Sequence, residues 1–222
     1  TEARAYLEKL KSYLEYTDVC DCKMQEGSLR CDANISVMPE GAKEFGTRAE
    51  IKNLNSFRAL ERAIDYEVQR QIELIEDGGH VVQETRTWDD AQGMTFSMRS
   101  KEEAHDYRYF PEPDLVPIIL DDAWIERSRK SLPELPDARK ARLMKDKGLQ
   151  EYDAELIVSS KKMANYFDAA AAESTDAKGV ANWMLGDVSA YLNNEGVEID
   201  KFPISPKHLG EMVNLINKGV LS

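Results

Sequence analysis

The sequence predicts an α+β fold followed by an all-helical part, on three observations. Residues 29–37 and 47–53 alternate apolar and polar side chains with a period of two. Residues 2–16 and 57–75 instead repeat apolar side chains at helical spacing. From about Asp121 onward only helical patterns remain. A mixed or antiparallel sheet with helices is therefore expected over 1–122, and a helical domain over 123–222.

The first helix runs from Glu2 to about Tyr16, with Ala3, Leu7, Leu10 and Leu14 on one face. After the turn residues Gln25-Glu26-Gly27-Ser28, Leu29, Cys31, Ala33, Ile35 and Val37 point one way. Arg30, Asp32, Asn34 and Ser36 point the other, so a half-buried strand with a polar outer face is expected. Pro39-Glu40-Gly41 is turn material, and a second strand follows from Thr47 to Asn53. Asn55 or Ser56 caps a long helix whose apolar stripe reads Phe57, Leu60, Ile64, Val68, Ile72 and Ile75, closed by Gly78-Gly79.

Val81–Trp88 and Met94–Arg99 flank Asp89-Asp90-Ala91-Gln92-Gly93 and read as a hairpin, with Met94, Phe96 and Met98 as core. Two prolines exclude a helix interior from Asp106 to Asp114. Beyond it, Pro133, Pro136, Gly148, Gly179, Gly196, Pro203 and Pro206 punctuate the helices.

Composition narrows the class. The 222 residues are 42% hydrophobic and 32% charged, the balance of a globular protein. No apolar run approaches the roughly 20 residues of a membrane helix, so no membrane partner is expected. Cys20, Cys22 and Cys31 are too few and too close for a disulfide framework and lack zinc spacing; free thiols in a reducing cytoplasm are expected. His80, His105 and His208 are scattered. A start at Thr1 without Met suggests that the true N-terminus lies elsewhere, and the C-terminal end reads as a stop partway through a larger chain.

The net charge of −12 argues against indiscriminate nucleic-acid binding. The charge is uneven, however: Arg127 to Lys147 holds eight basic residues against three acidic ones. Within that stretch Arg139, Arg142 and Lys145 are candidates for nucleic-acid phosphate contacts. An ordinary solvated helix face fits the charge equally well.

The chemistry concentrates on the polar faces of the first two strands. If they pair, Arg30, Asp32 and Asn34 lie beside Arg48, Glu50 and Lys52, with Glu26 in the entering loop. Carboxylates suit Mg²⁺, which takes one or two of them and fills its shell with water and phosphate oxygens. Arg and Lys suit the phosphate oxygens themselves. That mixture serves phosphoryl transfer, which rests on positioning and electrostatic stabilisation. Cross-strand ion pairs on a solvent-exposed face are the alternative. No G-x-x-x-x-G-K-[ST], G-x-G-x-x-G or G-x-S-x-G motif is present.

Five blocks carry a resemblance: Glu26 through Ser36, Glu50 through Phe57, Gln83 through Arg86, Met98 through Glu102, and Asp106 through Asp114. With Asn182-Trp183 and Ser189 through Leu192, they make the whole chain resemble the B-subunit family of the glutamyl/aspartyl-tRNA amidotransferases. The resemblance implies the second half of a cradle-shaped catalytic domain and a helical domain. A preceding half-cradle with a Glu-x-His metal element and a following tail domain are absent, so these residues alone are expected to be inactive. It also implies a ligase that uses ATP and Mg²⁺ to phosphorylate the side-chain carboxylate of Glu on tRNA(Gln) or Asp on tRNA(Asn). Ammonia from a partner amidase subunit then displaces the phosphate, and a small third subunit completes a heterotrimer in the cytoplasm. On this reading Glu26 and Asp32 hold metal, Arg30, Lys52 and Arg108 clamp phosphate or carboxylate, and Asp32 counts with those three as catalytic. Asn34, Glu50, Asn53 and Asn55 line the substrate or ammonia path. A non-catalytic piece that scaffolds tRNA and partner subunits is the alternative.

Overall fold

The structure, a computed structural model, describes residues 2–100 and 111–221, so Arg108 and most of the segment from Asp106 to Asp114 lie outside the described residues. The chain divides into two compact units, one of residues 1–11 and 20–128, the other of residues 12–19 and 129–222.

The first unit is built on a four-stranded mixed sheet. Helix α1 (Glu2–Tyr16) comes first, then a single 3₁₀ turn (Met24–Glu26) and the strands β1 (Ala33–Ile35) and β2 (Ala49–Lys52). Helix α2 (Phe57–Glu76) follows, then β3 (Glu84–Asp89) and β4 (Met94–Ser100). The strands lie in the order β1-β2-β3-β4. β1 and β3 run antiparallel to β2 and β4 respectively, whereas β2 and β3 are parallel. A parallel pair needs a long crossover, and α2 supplies it.

The alternation expected over 29–37 persists as burial, but only three residues hydrogen-bond as a strand. Ala33 and Ile35 are buried and Asn34 is exposed, whereas Leu29 and Cys31 are only half-buried. Ala33, Ile35, Ile51 and Trp88 pack with Ala59, Leu60 and Ala63 of α2, each buried leucine or isoleucine side chain contributing on the order of 1.5–3 kcal/mol. Ser56 is the N-cap, accepting from Ala59 N at 3.0 Å.

Two expectations for this core are corrected. The buried residues of α2 are Ala59, Leu60, Ala63, Glu67 and Gln71; of the expected stripe only Leu60 is among them, while Phe57, Ile64 and Val68 are half-buried and pack against this core, Ile72 is half-buried and Ile75 is exposed. On β4 the inward side chain is Thr95, and Phe96 and Met98 face out. Both shifts have one cause. Glu67, wholly buried, ion-pairs with Arg70 at 2.6 Å and Arg86 at 3.4 Å. Its carboxylate also accepts from Gln71 Nε2 at 2.9 Å and Thr95 Oγ1 at 3.0 Å. A buried charge is tolerated only when so paired. The inward position of β4 therefore goes to the hydroxyl that completes the shell, and the period of two turns its apolar neighbours outward.

Past α3 (Asp122–Ser131), the second unit is helical: α4 (Pro136–Lys147), α5 (Glu151–Val158), α6 (Lys161–Ala172), α7 (Ala177–Trp183), α8 (Ser189–Glu195) and α9 (Pro206–Asn217). Its core includes Leu143, Ile157, Phe167, Val180, Met184, Leu209 and Val213. Tyr16 belongs here, buried and donating to Val158 O at 2.9 Å. Its phenol is pushed up to about 12, chiefly by burial. Met184–Val188 form a π-helical stretch that joins α7 to α8, and Ser189 Oγ there donates to Met184 O at 2.7 Å.

Gly179 does not break a helix as expected; it sits inside α7, where a Cβ would come within 2.9 Å of Val213 Cγ1. No helix among the described residues is long and apolar enough to cross a membrane.

Candidate functional site

The register of the sheet builds the site in rows. Asn34 pairs with Glu50, which pairs with Thr85. One step along, Asp32 stands beside Lys52, and Lys52 pairs with Thr87. Because side chains two apart share a face, these six residues occupy the surface opposite α2. Lys52 Nζ lies 3.9 Å from Asp32 Oδ2 and 3.9 Å from Glu50 Oε1. Thr85 Oγ1 donates to Glu50 Oε2 at 3.0 Å.

Two loops complete it. The first is the 3₁₀ turn ending at Glu26, closed by Gly27 at φ 77°, a left-handed conformation that favours glycine. Ser28 Oγ ties this loop together, accepting from Lys23 N at 2.8 Å and donating to Asp21. Hydrogen bonding from Ser28 holds the Asp21 carboxyl below its usual range. Lys23 pairs with Glu26 at 3.0 Å, which raises the Lys23 ammonium.

The second loop leaves β2 through Asn53, at φ 62°, whose Nδ2 donates to Thr87 Oγ1 at 2.7 Å. Leu54 is buried, leaving Asn53 and Asn55 exposed on either side of it.

Between the loops lies an open cleft of about 520 Å³. Six residues expected in the site line it: Glu26, Arg30, Asp32, Lys52, Asn53 and Asn55. Asn34 and Glu50 are on the same sheet face, one row away. Thr85 and Thr87 join the site without having been expected there; their spacing of two on a strand next to β2 was the available signal. Gln25, which lines the cleft, was likewise not expected there.

The donor set has the chemistry to hold a hard cation together with phosphate oxygens. Glu26 and Asp32 bring two carboxylates to one cleft, and Arg30 and Lys52 bring cations for phosphate oxygens. Mg²⁺ completes such a site with water and phosphate. Among the described residues no group of three or more His, Cys, Asp or Glu could cage a metal by itself. Cys20, Cys22 and Cys31 are free thiols.

The basic residues of α4 are arranged differently from an open stripe. Arg139 is buried, donating to Asp168 at 2.6 and 3.1 Å and to Asn165 at 2.8 Å. Arg142 forks onto Glu134 with two 2.8 Å bonds and also reaches Asp168 at 2.7 Å. Burial alone would raise the Asp168 carboxyl, but the hydrogen bonds from Arg142 and Arg139 outweigh it and hold it low. Lys145 is exposed. The three therefore do not form one solvent-facing row.

Comparison with known proteins places the chain. A family model described as the GatB/GatE catalytic domain matches residues 1–126, and one described as the GatB domain matches residues 165–222. The B subunit of the aspartyl/glutamyl-tRNA(Asn/Gln) amidotransferase of Caldicellulosiruptor bescii is 57% identical over 100% of this chain and 47% of its own length. The corresponding proteins of Carboxydothermus hydrogenoformans and Geobacter sulfurreducens are each 54% identical over 100% of this chain and 46% of theirs. The chain thus spans about half the length of the curated relatives it matches. Matched by the catalytic-domain model over more than half its length, and by these relatives from end to end, the chain belongs to the GatB family.

Proposed function

We propose that the cleft of the first unit is part of the reaction centre of an ATP-dependent tRNA amidotransferase acting in the cytoplasm, a ligase that forms a C–N bond. Its substrate is Glu carried by tRNA(Gln), Asp carried by tRNA(Asn), or both. The side-chain carboxylate takes the γ-phosphoryl group of ATP and ADP leaves; ammonia then attacks the acyl carbon and inorganic phosphate departs, leaving the amide. Glutamine is the ammonia source, hydrolysed by a partner amidase subunit, and a small third subunit completes the assembly.

Glu26 and Asp32 hold Mg²⁺, which supplies charge neutralisation at the phosphates. Arg30 and Lys52 clamp phosphate or carboxylate oxygens, as does Arg108. Asn53 and Asn55 hydrogen-bond the substrate at the mouth of α2, and Asn34 and Glu50 continue the polar path along the sheet.

One observation supports this reading above the others: six site residues separated by up to 29 positions in sequence gather around a single cleft. The test uses the full-length protein assembled with its partners. Asp32→Asn should abolish ATP-dependent amidation while glutamine hydrolysis and assembly persist. Turnover close to wild type at limiting Mg²⁺ would overturn the metal assignment.

A further inference from the structure

We propose that Thr85 is a positioning residue for the amidation chemistry, acting through Glu50 on Lys52; this rests on the reading of the cleft just given. Thr85 is almost completely buried on β3, directly paired with Glu50 on β2. Its hydroxyl donates to Glu50 Oε2 at 3.0 Å. The other oxygen of that carboxylate, Oε1, lies 3.9 Å from Lys52 Nζ, which is 3.9 Å from Asp32 in turn.

The arrangement is directional. A carboxylate with one oxygen hydrogen-bonded to a fixed, buried donor cannot rotate freely about its terminal torsion, so its second oxygen keeps a set direction. Lys52 is a flexible four-carbon chain carrying a compact charge, and it gains little orientation from its own rotamers. Between Asp32 and a held Glu50 its ammonium is confined near the cleft. One row along, Thr87 accepts from Asn53 Nδ2 at 2.7 Å and fixes the next cleft residue in the same manner. The hydroxyls of β3 thus bond Glu50 and Asn53, which flank Lys52 in sequence, and a 1 Å loosening of such support is enough to depress turnover.

The discriminating pair is Thr85→Val, which keeps the shape and removes the hydroxyl, and Thr85→Ser, which keeps the hydroxyl. Both are measured in the full-length, partner-assembled protein beside Asp32→Asn. Thr85→Val should lower kcat for amidation roughly 10- to 100-fold, the range for losing a hydrogen bond to a charged group. KM for the aminoacyl-tRNA and the rate of glutamine hydrolysis should stay within about twofold. Thr85→Ser should recover kcat to within about threefold of wild type. If Thr85→Val keeps wild-type kcat while Asp32→Asn is inactive, the positioning role falls and the reading of the cleft stands. If Thr85→Ser is as impaired as Thr85→Val, the methyl group rather than the hydroxyl matters and the proposal also falls. If Asp32→Asn retains activity, both readings fail together.

Discussion

Lys52 holds its ammonium nitrogen 3.9 Å from a carboxylate oxygen of Asp32, across the first strand pair of the sheet. Both side chains are well exposed, at 38% and 47%. Ion pairs in that setting contribute about 0–1 kcal/mol, so stability is a weak reason for the pair to exist. Lys52→Met should shift the unfolding midpoint only slightly, by less than about 1 kcal/mol. Amidation should fall by more than tenfold if the ammonium works on phosphate. Urea titration and turnover, measured on the same preparation, separate the two; a loss of stability that matches the loss of activity would count against the phosphate role.

Glu67 gives the clearest pH signature in the sheet unit. Burial alone would raise its carboxyl, but hydrogen bonds from Arg70 and Gln71 outweigh that and hold it below the usual range. A lowered native pKa stabilises the fold above the unfolded value, about 4.3, and that stabilisation is lost as pH falls through the native value. Acidification from pH 5 downward should therefore erode stability. Glu67→Gln should cost about 3 kcal/mol near neutrality and make the acid limb shallower. An unchanged acid limb in Glu67→Gln would show that other carboxylates carry it.

Arg139 and Lys145, six residues apart, should behave as different kinds of residue. Arg139 is buried against Asp168 and Asn165, so Arg139→Ala should destabilise the helical unit by roughly 2–3 kcal/mol. Lys145 is exposed, and Lys145→Glu should leave the unfolding midpoint within about 0.5 kcal/mol. If α4 meets tRNA, Lys145→Glu should raise the tRNA KM and reduce the salt slope by about one. A salt slope identical to wild type would leave Lys145 on an ordinary solvated face.

Asn53 combines a left-handed backbone with a side-chain bond to Thr87. Asn53→Ala should lose both and cost about 2 kcal/mol, of which roughly 1 kcal/mol is backbone strain. Asn53→Gly relieves the strain and loses only the hydrogen bond, so it should be milder. Equal costs for the two, measured by chemical denaturation, would mean that the positive φ is not the source.

Much of the placement of the candidate site residues was legible in the primary structure because strand period is a local property. Alternation from Leu29 to Val37 was enough to put Arg30, Asp32 and Asn34 on one side, and Glu50 and Lys52 followed from the second run. The turns were equally local: Gly27 at positive φ and Ser56 as a cap are set by their own backbone needs. Burial of charge was not legible. Glu67 and Arg139 look like surface residues by type, and on α2 helical spacing alone selects the more apolar Ile64 and Ile72 in place of Glu67. What reverses this is the presence of Arg86, Thr95, Asp168 and Asn165 at hydrogen-bonding distance, contributed by segments far away in sequence.

The primary structure was enough to show which side chains share a strand face, where the first two helices begin, and the family to which its polar blocks belong. Tertiary structure alone decided that Thr85 supports Glu50, that Glu67 lies under the sheet, and that two arginines of α4 turn to Asp168 rather than to solvent. The physical reason is that periodicity specifies a direction relative to the local backbone, whereas a hydrogen bond or ion pair is satisfied only when another segment brings its partner within about 3 Å.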